Sequence, residues 1–370
     1  MEHDVISRLR TSMRAEGLDA LVALSTDNVT YTAGFLVPSH ALNRFRRTIT
    51  IIAGEDFAAQ IVVNVEEALA QERSRFKRLR AYNQFTEDPA DVLADLLAEA
   101  GVSQGRIAIE LDYMPAQDYI RLVERLPQAR FEECRDFYAK ARMLKTDDEI
   151  ERVRQVGVLT EQVMAEVLGM VQPGMSEKDV GRRIVDLTLK AGADSVIYQV
   201  GSGERSGITN CKPTTKVIER DDVIRIEILA EQDNYRSNVT RTAVLGAPTS
   251  EQKDIWAVLI GARDKCRAML RPGTGVPELY QTYVDACRGG GIEPTLKFLG
   301  HGIGVSIHEE PYLTDTRRFA LAANMTHTME PLYMMPGRMG FHVEDMYVIT
   351  GDGHERLTGD IVPNDQLIAL

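Results

Sequence analysis

The run at residues 223–242, VIRIEILAEQDNYRSNVTRT, decides the fold. Polar and apolar residues alternate on both sides of the turn-prone Gln232-Asp233-Asn234, the pattern of an antiparallel hairpin. With the turn centred between Gln232 and Asp233, Glu227 and Asn238 face each other, and opposed residues have Cβ atoms roughly 4.5–5.5 Å apart. A second hairpin is legible at residues 324–350. There Met334-Met335-Pro336-Gly337-Arg338-Met339-Gly340 reads as the turn, and Glu330 and Glu344 are each seven residues from Gly337. Two carboxylates so opposed share a proton, bind a cation or accept donors from a substrate. Both are embedded among Met, Val and Phe, which argues against a solvated strand face.

Between the hairpins lie Gly300-His301-Gly302-Ile303-Gly304 and His308-Glu309-Glu310-Pro311. Glycines beside a histidine let backbone approach a ligand closely and leave the imidazole accessible. An imidazole with an ordinary pKa of about 6.5 serves as acid or base near neutrality. Five of the seven histidines fall between His301 and His354.

Working outward, residues 18–24, 48–53, 59–64 and 107–110 read as strands. They alternate with helical stretches at 88–100 and 115–126, which gives an α/β first domain. An opening helix is marked by Val5, Leu9 and Met13. At residues 141–154 the composition shifts to charge-dense ARMLKTDDEIERVR, where Thr146 is an N-cap and Glu149 its capping-box partner. The domain boundary is placed just before it, giving domains 1–140 and 141–370. Ser176 caps a further helix after Gln172-Pro173-Gly174.

The chain has 370 residues, is 44% hydrophobic and 26% charged, and carries a formal charge of −12. That balance excludes a fibrous or disordered chain and argues against nucleic acid and anionic membrane as partners. Cys134, Cys211, Cys266 and Cys287 are widely spaced without a CxxC, so neither a zinc cage nor a disulfide framework is expected. The N-terminus, residues 1–14, has no apolar run of the signal-peptide kind, and no stretch reaches the roughly 18 apolar residues of a membrane span. A cytoplasmic protein is expected.

The motifs LKTDDEIERVR, PGMSE, GSG at Gly201 to Gly203, YRSNVTRT, LGHGIG, HEEP, TMEP and HVED resemble the creatinase/prolidase superfamily. GLDALVALSTDNVTYTAGF resembles the start of its amino domain. The resemblance implies an α/β (α+β) protein: a small α/β N-terminal creatinase-like domain followed by a pita-bread C-terminal domain, in a homodimer. In the family's metallopeptidases the corresponding positions hold two divalent metals through two aspartates, a histidine and two glutamates. Carried over, they become Glu227, Asn238, His301, Glu330 and Glu344. Divalent cations prefer anionic oxygen, and the amide of Asn238 offers one neutral oxygen. The expectation is therefore no dinuclear site and no cofactor, with a single manganese, cobalt or zinc ion as the alternative. Other departures are Leu332 after Glu330-Pro331, His342 where an arginine is common, Asn210 in place of an upstream histidine, and Thr240 in place of creatinase's acidic residue.

The leading functional expectation is a hydrolase that cleaves an amide- or amidine-type C–N bond of a small polar substrate, as creatinase and ectoine hydrolase do. His301 and His308 share water activation and leaving-group protonation, and Glu330 and Glu344 orient and charge-stabilise them or hold a cationic substrate group. Glu227, Asn238 and His342 contact substrate. The segment 35–47, read as a loop followed by a strand, carries His40, Arg44, Arg46 and Arg47, and Arg46 either reads an anionic substrate group or belongs to an exposed basic loop. The first alternative is a metal-dependent Xaa-Pro aminopeptidase or dipeptidase in which His308 steadies the tetrahedral intermediate. The second is a catalytically inactive pita-bread binding protein.

Overall fold

A computed structural model describes residues 5–43 and 45–370. The chain divides into two compact units, one ending at Ala141 and the other beginning at Arg142. Arg44 and the first four residues lie outside the described part.

In the first unit the helix Val5–Glu16 turns Val5, Leu9 and Met13 inward, as i, i+4 spacing requires. A six-stranded sheet runs in the order Arg78–Tyr82, Phe57–Val63, Ile49–Ala53, Ala20–Ala23, Arg106–Ile109, Arg130–Glu133. Ala20–Ala23 is fully buried, antiparallel to Ile49–Ala53 and parallel to Arg106–Ile109. Its ALVA has no alternation because both faces are covered. The helix Pro89–Glu99 contributes Val92, Leu93, Leu96 and Leu97 to this core. Segment 35–47 is not simply loop and strand, because Pro38–Leu42 forms a short helix before Ile49–Ala53. Proline's fixed φ suits the first helical turn.

The second unit opens with two helices that start at capping boxes, Asp147–Met170 behind Thr146 and Glu177–Lys190 behind Ser176. One sheet path follows the order Ile368–Ala369, Val239–Val244, Val223–Gln232, Ser195–Ser202. Thr326–Met329, Asp345–Ile349 and His354–Arg356 form a second sheet, and Leu332–Met335 with Met339–His342 a third. The helices Ser250–Arg267 and Val276–Gly289 bury Leu259, Cys266, Leu279 and Tyr283. Among the described residues no helix is long and apolar enough to cross a membrane.

The first hairpin turns one residue later than the sequence reading placed it. Asp233 and Asn234 both have positive φ, 50° and 66°, and Gln232 pairs with Tyr235. This is the two-residue turn whose twist matches a hairpin, and Asp and Asn tolerate it best after glycine. Thr240 rather than Asn238 therefore stands opposite Glu227. The shift changes the register by two residues, so Asn238 keeps the face of Glu227 and becomes its diagonal neighbour. The second hairpin centres on Gly337, with Leu332 opposite His342 and Met329 opposite Asp345. Glu330 and Glu344 lie between those pairs.

Candidate active site

Glu330, Glu344, His301 and Thr240 meet below the two hairpins. Thr240 forms an isolated bridge to Glu344 and donates its hydroxyl to Glu344 Oε2 at 2.7 Å. Arg241, fully buried, points the other way and holds the same residue from behind, donating to Glu344 O, Val362 O, Glu161 and Asp345. Asp345 also accepts from Arg356 and Asn364, so the strand carrying Glu344 is tied down by a closed ionic network.

His301 is fully buried. Its flanking glycines do not open a path to a ligand, as was expected, but let the backbone run against other backbone. A Cβ at Gly300 would lie 2.1 Å from Thr328 O, and one at Gly302 would lie 2.3 Å from Glu310 O. The imidazole Nδ1 is 3.0 Å from Gly302 O. A carbonyl only accepts, so Nδ1 carries a proton and Nε2 faces the carboxylates. Nε2 is 3.2 Å from Glu330 Oε1 and 4.0 Å from Glu344 Oε1. A neutral Nε2 would turn its lone pair on two carboxylate oxygens, so this space calls for a positive charge, a proton or a cation. Without a cation the group settles by protons. Burial favours neutral His301, but Glu330 outweighs it and raises the imidazole's pKa. Burial also opposes the charge on Glu330, yet His301 holds that carboxyl below its ordinary range. Glu344, buried and beside Glu330 and Glu227, is pushed well up.

Four further expected residues lie in or beside this group. His342 Nε2 lies 3.4 Å from Glu330 Oε2 and 3.8 Å from Glu344 Oε2. Glu227, raised by burial, is next to His342 and Arg225 in its charge environment. Asn238 is buried with Oδ1 unpartnered. His308 stacks on His301, ring centroids 3.6 Å apart and planes at 14°, with its outer edge in solvent. Partial burial and the neighbouring His301 lower its pKa to about 4, so it is a neutral donor or acceptor at pH 7.

Arg46 belongs to the first unit. Its Nε donates to Gln84 Oε1 at 3.1 Å, and it lines a cavity of about 520 Å³ with Phe45, Arg47 and Tyr113. His40 is structural there, with Nε2 2.8 Å from Leu24 O and Nδ1 accepting from Thr48 N.

His301, Glu330 and Glu344 each offer one ligand atom, all within 4.8 Å of one another. One nitrogen and two carboxylate oxygens suit a borderline divalent cation, so these residues fit one such ion. Sequence reasoning missed Arg225 and the pair Lys145–Glu309. Lys145 Nζ contacts Glu309 Oε1 at 2.6 Å with both side chains 1% exposed, directly after His308. The only sequence signal for it was a lysine just ahead of a helix cap.

The family profile described as Metallopeptidase family M24 matches residues 151–351, and that of the Creatinase/Prolidase N-terminal domain matches residues 6–144. The chain belongs to the metallopeptidase family M24, with a creatinase-type amino domain and a pita-bread second domain. It is 26% identical over 313 residues to the Xaa-Pro dipeptidase of Pyrococcus furiosus, covering 83% of this chain and 86% of that protein. It is 24% identical over 364 residues to the Xaa-Pro dipeptidase of Pyrococcus horikoshii, covering 96% and 97%. The crystal structure of an X-Pro aminopeptidase from Thermotoga maritima superposes with a TM-score of 0.87 at 26% identity, covering 99% of both chains. The membership makes this chain a hydrolase acting on C–N bonds. It carries divalent metal use as a family property, where the sequence reading leaned towards none. The relatives favour the Xaa-Pro peptidase alternative over cleavage in the manner of creatinase, and they lend nothing to an inactive binding protein.

Proposed function

We propose that the protein hydrolyses the C–N bond of a small Xaa-Pro peptide with one divalent cation held by His301, Glu330 and Glu344. The observation that carries this reading is His301 Nε2, fixed by its Nδ1 hydrogen bond and turned onto the two carboxylates. When bound, such a cation polarises the scissile carbonyl and makes the attacking water more acidic.

The side chains supply the rest. Glu330, whose Oε2 lies beside His342, is placed to take the water's proton. His308, neutral and at the solvent edge, donates to the carbonyl oxygen as negative charge develops there. Glu227 and Asn238 present acceptor oxygens on one face and orient the substrate's ammonium group.

The test is proline release from a panel of Xaa-Pro dipeptides by protein loaded with manganese, cobalt or zinc. The expected result is turnover that chelation abolishes and that His301→Ala lacks while staying folded. No release with any metal, together with cleavage of creatine or another non-peptide amide by chelator-treated protein, would overturn the reading.

A further inference from the structure

Beside the carboxylates the protein already holds a cation of its own, Arg225, whose charge acts on Glu227 and Glu344. Arg225 precedes Glu227 by two residues on the strand Val223–Gln232, so the two project from the same face. It is 2% exposed, its Nη2 donates to Ile208 O and to Thr209 O, and its Nε has no partner. A guanidinium stays charged even when buried. His342 lies against the outer oxygens of Glu330 and Glu344, 3.4 and 3.8 Å away. The hydroxyl of Thr240 occupies Glu344 Oε2 at 2.7 Å. Glu344 Oε1 has no hydrogen-bond partner and Glu330 Oε1 accepts a long 3.4 Å bond from the Thr328 hydroxyl, so the two oxygens nearest His301 leave room for one cation. Glu344 Oε2 is taken by Thr240, and Glu330 Oε2 faces His342. Asn238, diagonal to Glu227, adds no charge to recover them.

The geometry points to a one-cation centre flanked by Arg225 on the Glu227 face of the strand, with Arg225 rather than Asn238 alone setting the number of ions. A second divalent ion would have to displace the Thr240 and His342 contacts and sit beside a buried guanidinium that repels it. The inference rests on His301, Glu330 and Glu344 being the cation site. It does not depend on what the substrate is.

The test uses metal-stripped full-length protein titrated with Mn²⁺ and read by calorimetric stoichiometry and electron paramagnetic resonance. The wild type should bind one ion per chain and give the spectrum of isolated Mn²⁺. Asn238→Asp should still bind one, because Arg225 is intact. Asn238→Asp combined with Arg225→Gln, which keeps a donor for the Ile208 and Thr209 carbonyls, should bind two and show spin coupling between them. Two ions in the wild type or in Asn238→Asp would overturn the count while leaving the cation site in place. A folded double variant that still binds one ion would overturn the role of Arg225. If the double variant does not fold, the wild-type and Asn238→Asp stoichiometries decide. Absence of any Mn²⁺ binding by the wild type would remove the cation site itself and this inference with it.

Discussion

Replacing Lys145 with methionine should destabilise the second unit far more than replacing Lys145 and Glu309 together. In the native chain Lys145 Nζ and Glu309 Oε1 are 2.6 Å apart, with both side chains 1% exposed. Removing one member of such a pair leaves a buried charge uncompensated, at a cost of roughly 3–5 kcal/mol. Arg142 Nε is 3.5 Å from Glu309 Oε2 and stays in place, so the low end, about 3 kcal/mol, is expected. Lys145→Met with Glu309→Met removes both charges and should come within about 1 kcal/mol of the wild type. Arg142 keeps Ser306 Oγ as a partner in that variant. The assay is urea unfolding followed by fluorescence of Trp256, the chain's single tryptophan, which is buried in the second unit and bonded to Asn364 O. With a denaturant slope of about 3 kcal/mol/M, the single variant's midpoint should fall by about 1 M. A fall corresponding to less than about 1 kcal/mol, or a double variant less stable than the single one, would refute the assignment of the pair as a mutually dependent buried charge.

Three further outcomes are expected. His308→Ala should lower kcat on an Xaa-Pro dipeptide by about 100-fold, the usual loss for one donor to a developing oxyanion, while Mn²⁺ affinity stays unchanged. A parallel loss of Mn²⁺ would show that His308 acts through the cation site instead. Gly302→Ala should destabilise by about 2 kcal/mol through overpacking, because the new Cβ would meet the rigid Glu310 carbonyl; an unchanged thermal midpoint would contradict that contact. Glu177 is buried and accepts from Ser202, Arg205 and Thr214. Burial alone would raise its pKa, but these donors, Thr214 foremost, leave it below the ordinary 4.5. A depressed carboxyl stabilises the fold above the unfolded-state pKa and loses that contribution as pH falls through the folded one. Glu177→Gln should therefore cost about 2 kcal/mol at pH 7 and progressively less below pH ~4; a pH-independent difference would contradict this.

The sequence reading placed the second hairpin in its true register because Gly337, with φ at 76°, and the neighbouring proline leave one economical turn. The first was displaced because Gln232-Asp233-Asn234 offers two adjacent turn centres, and nothing local says which pair takes positive φ. The error left Glu227 and Asn238 on a shared face, since a two-residue change of register preserves parity. It hid Thr240, whose hydroxyl became legible as a partner of Glu344 only once the strands were paired. Arg225, Arg241 and Lys145 were not legible at all. Charged residues in strands and near caps are ordinarily solvated, and only long-range packing reveals that these three are enclosed. The glycines around His301 were recognised as points of close approach, but not that the approaching partner is the backbone of Thr328 and Glu310.

The network around Arg241 also gives the end of the chain a mechanical part in the site. Arg241 spans from Val362 O to Glu344 O, and Asn364 reaches Asp345, so residues after 360 share one rigid linkage with the strand that carries Glu344. Strain applied at that segment, by clipping or by a bulky graft before residue 365, would travel through the guanidinium to the carboxylate within a few bonds. Residues 362 and 364 are thus tied through Arg241 and Asp345 to the backbone at Glu344, and substitutions there are expected to register at the site.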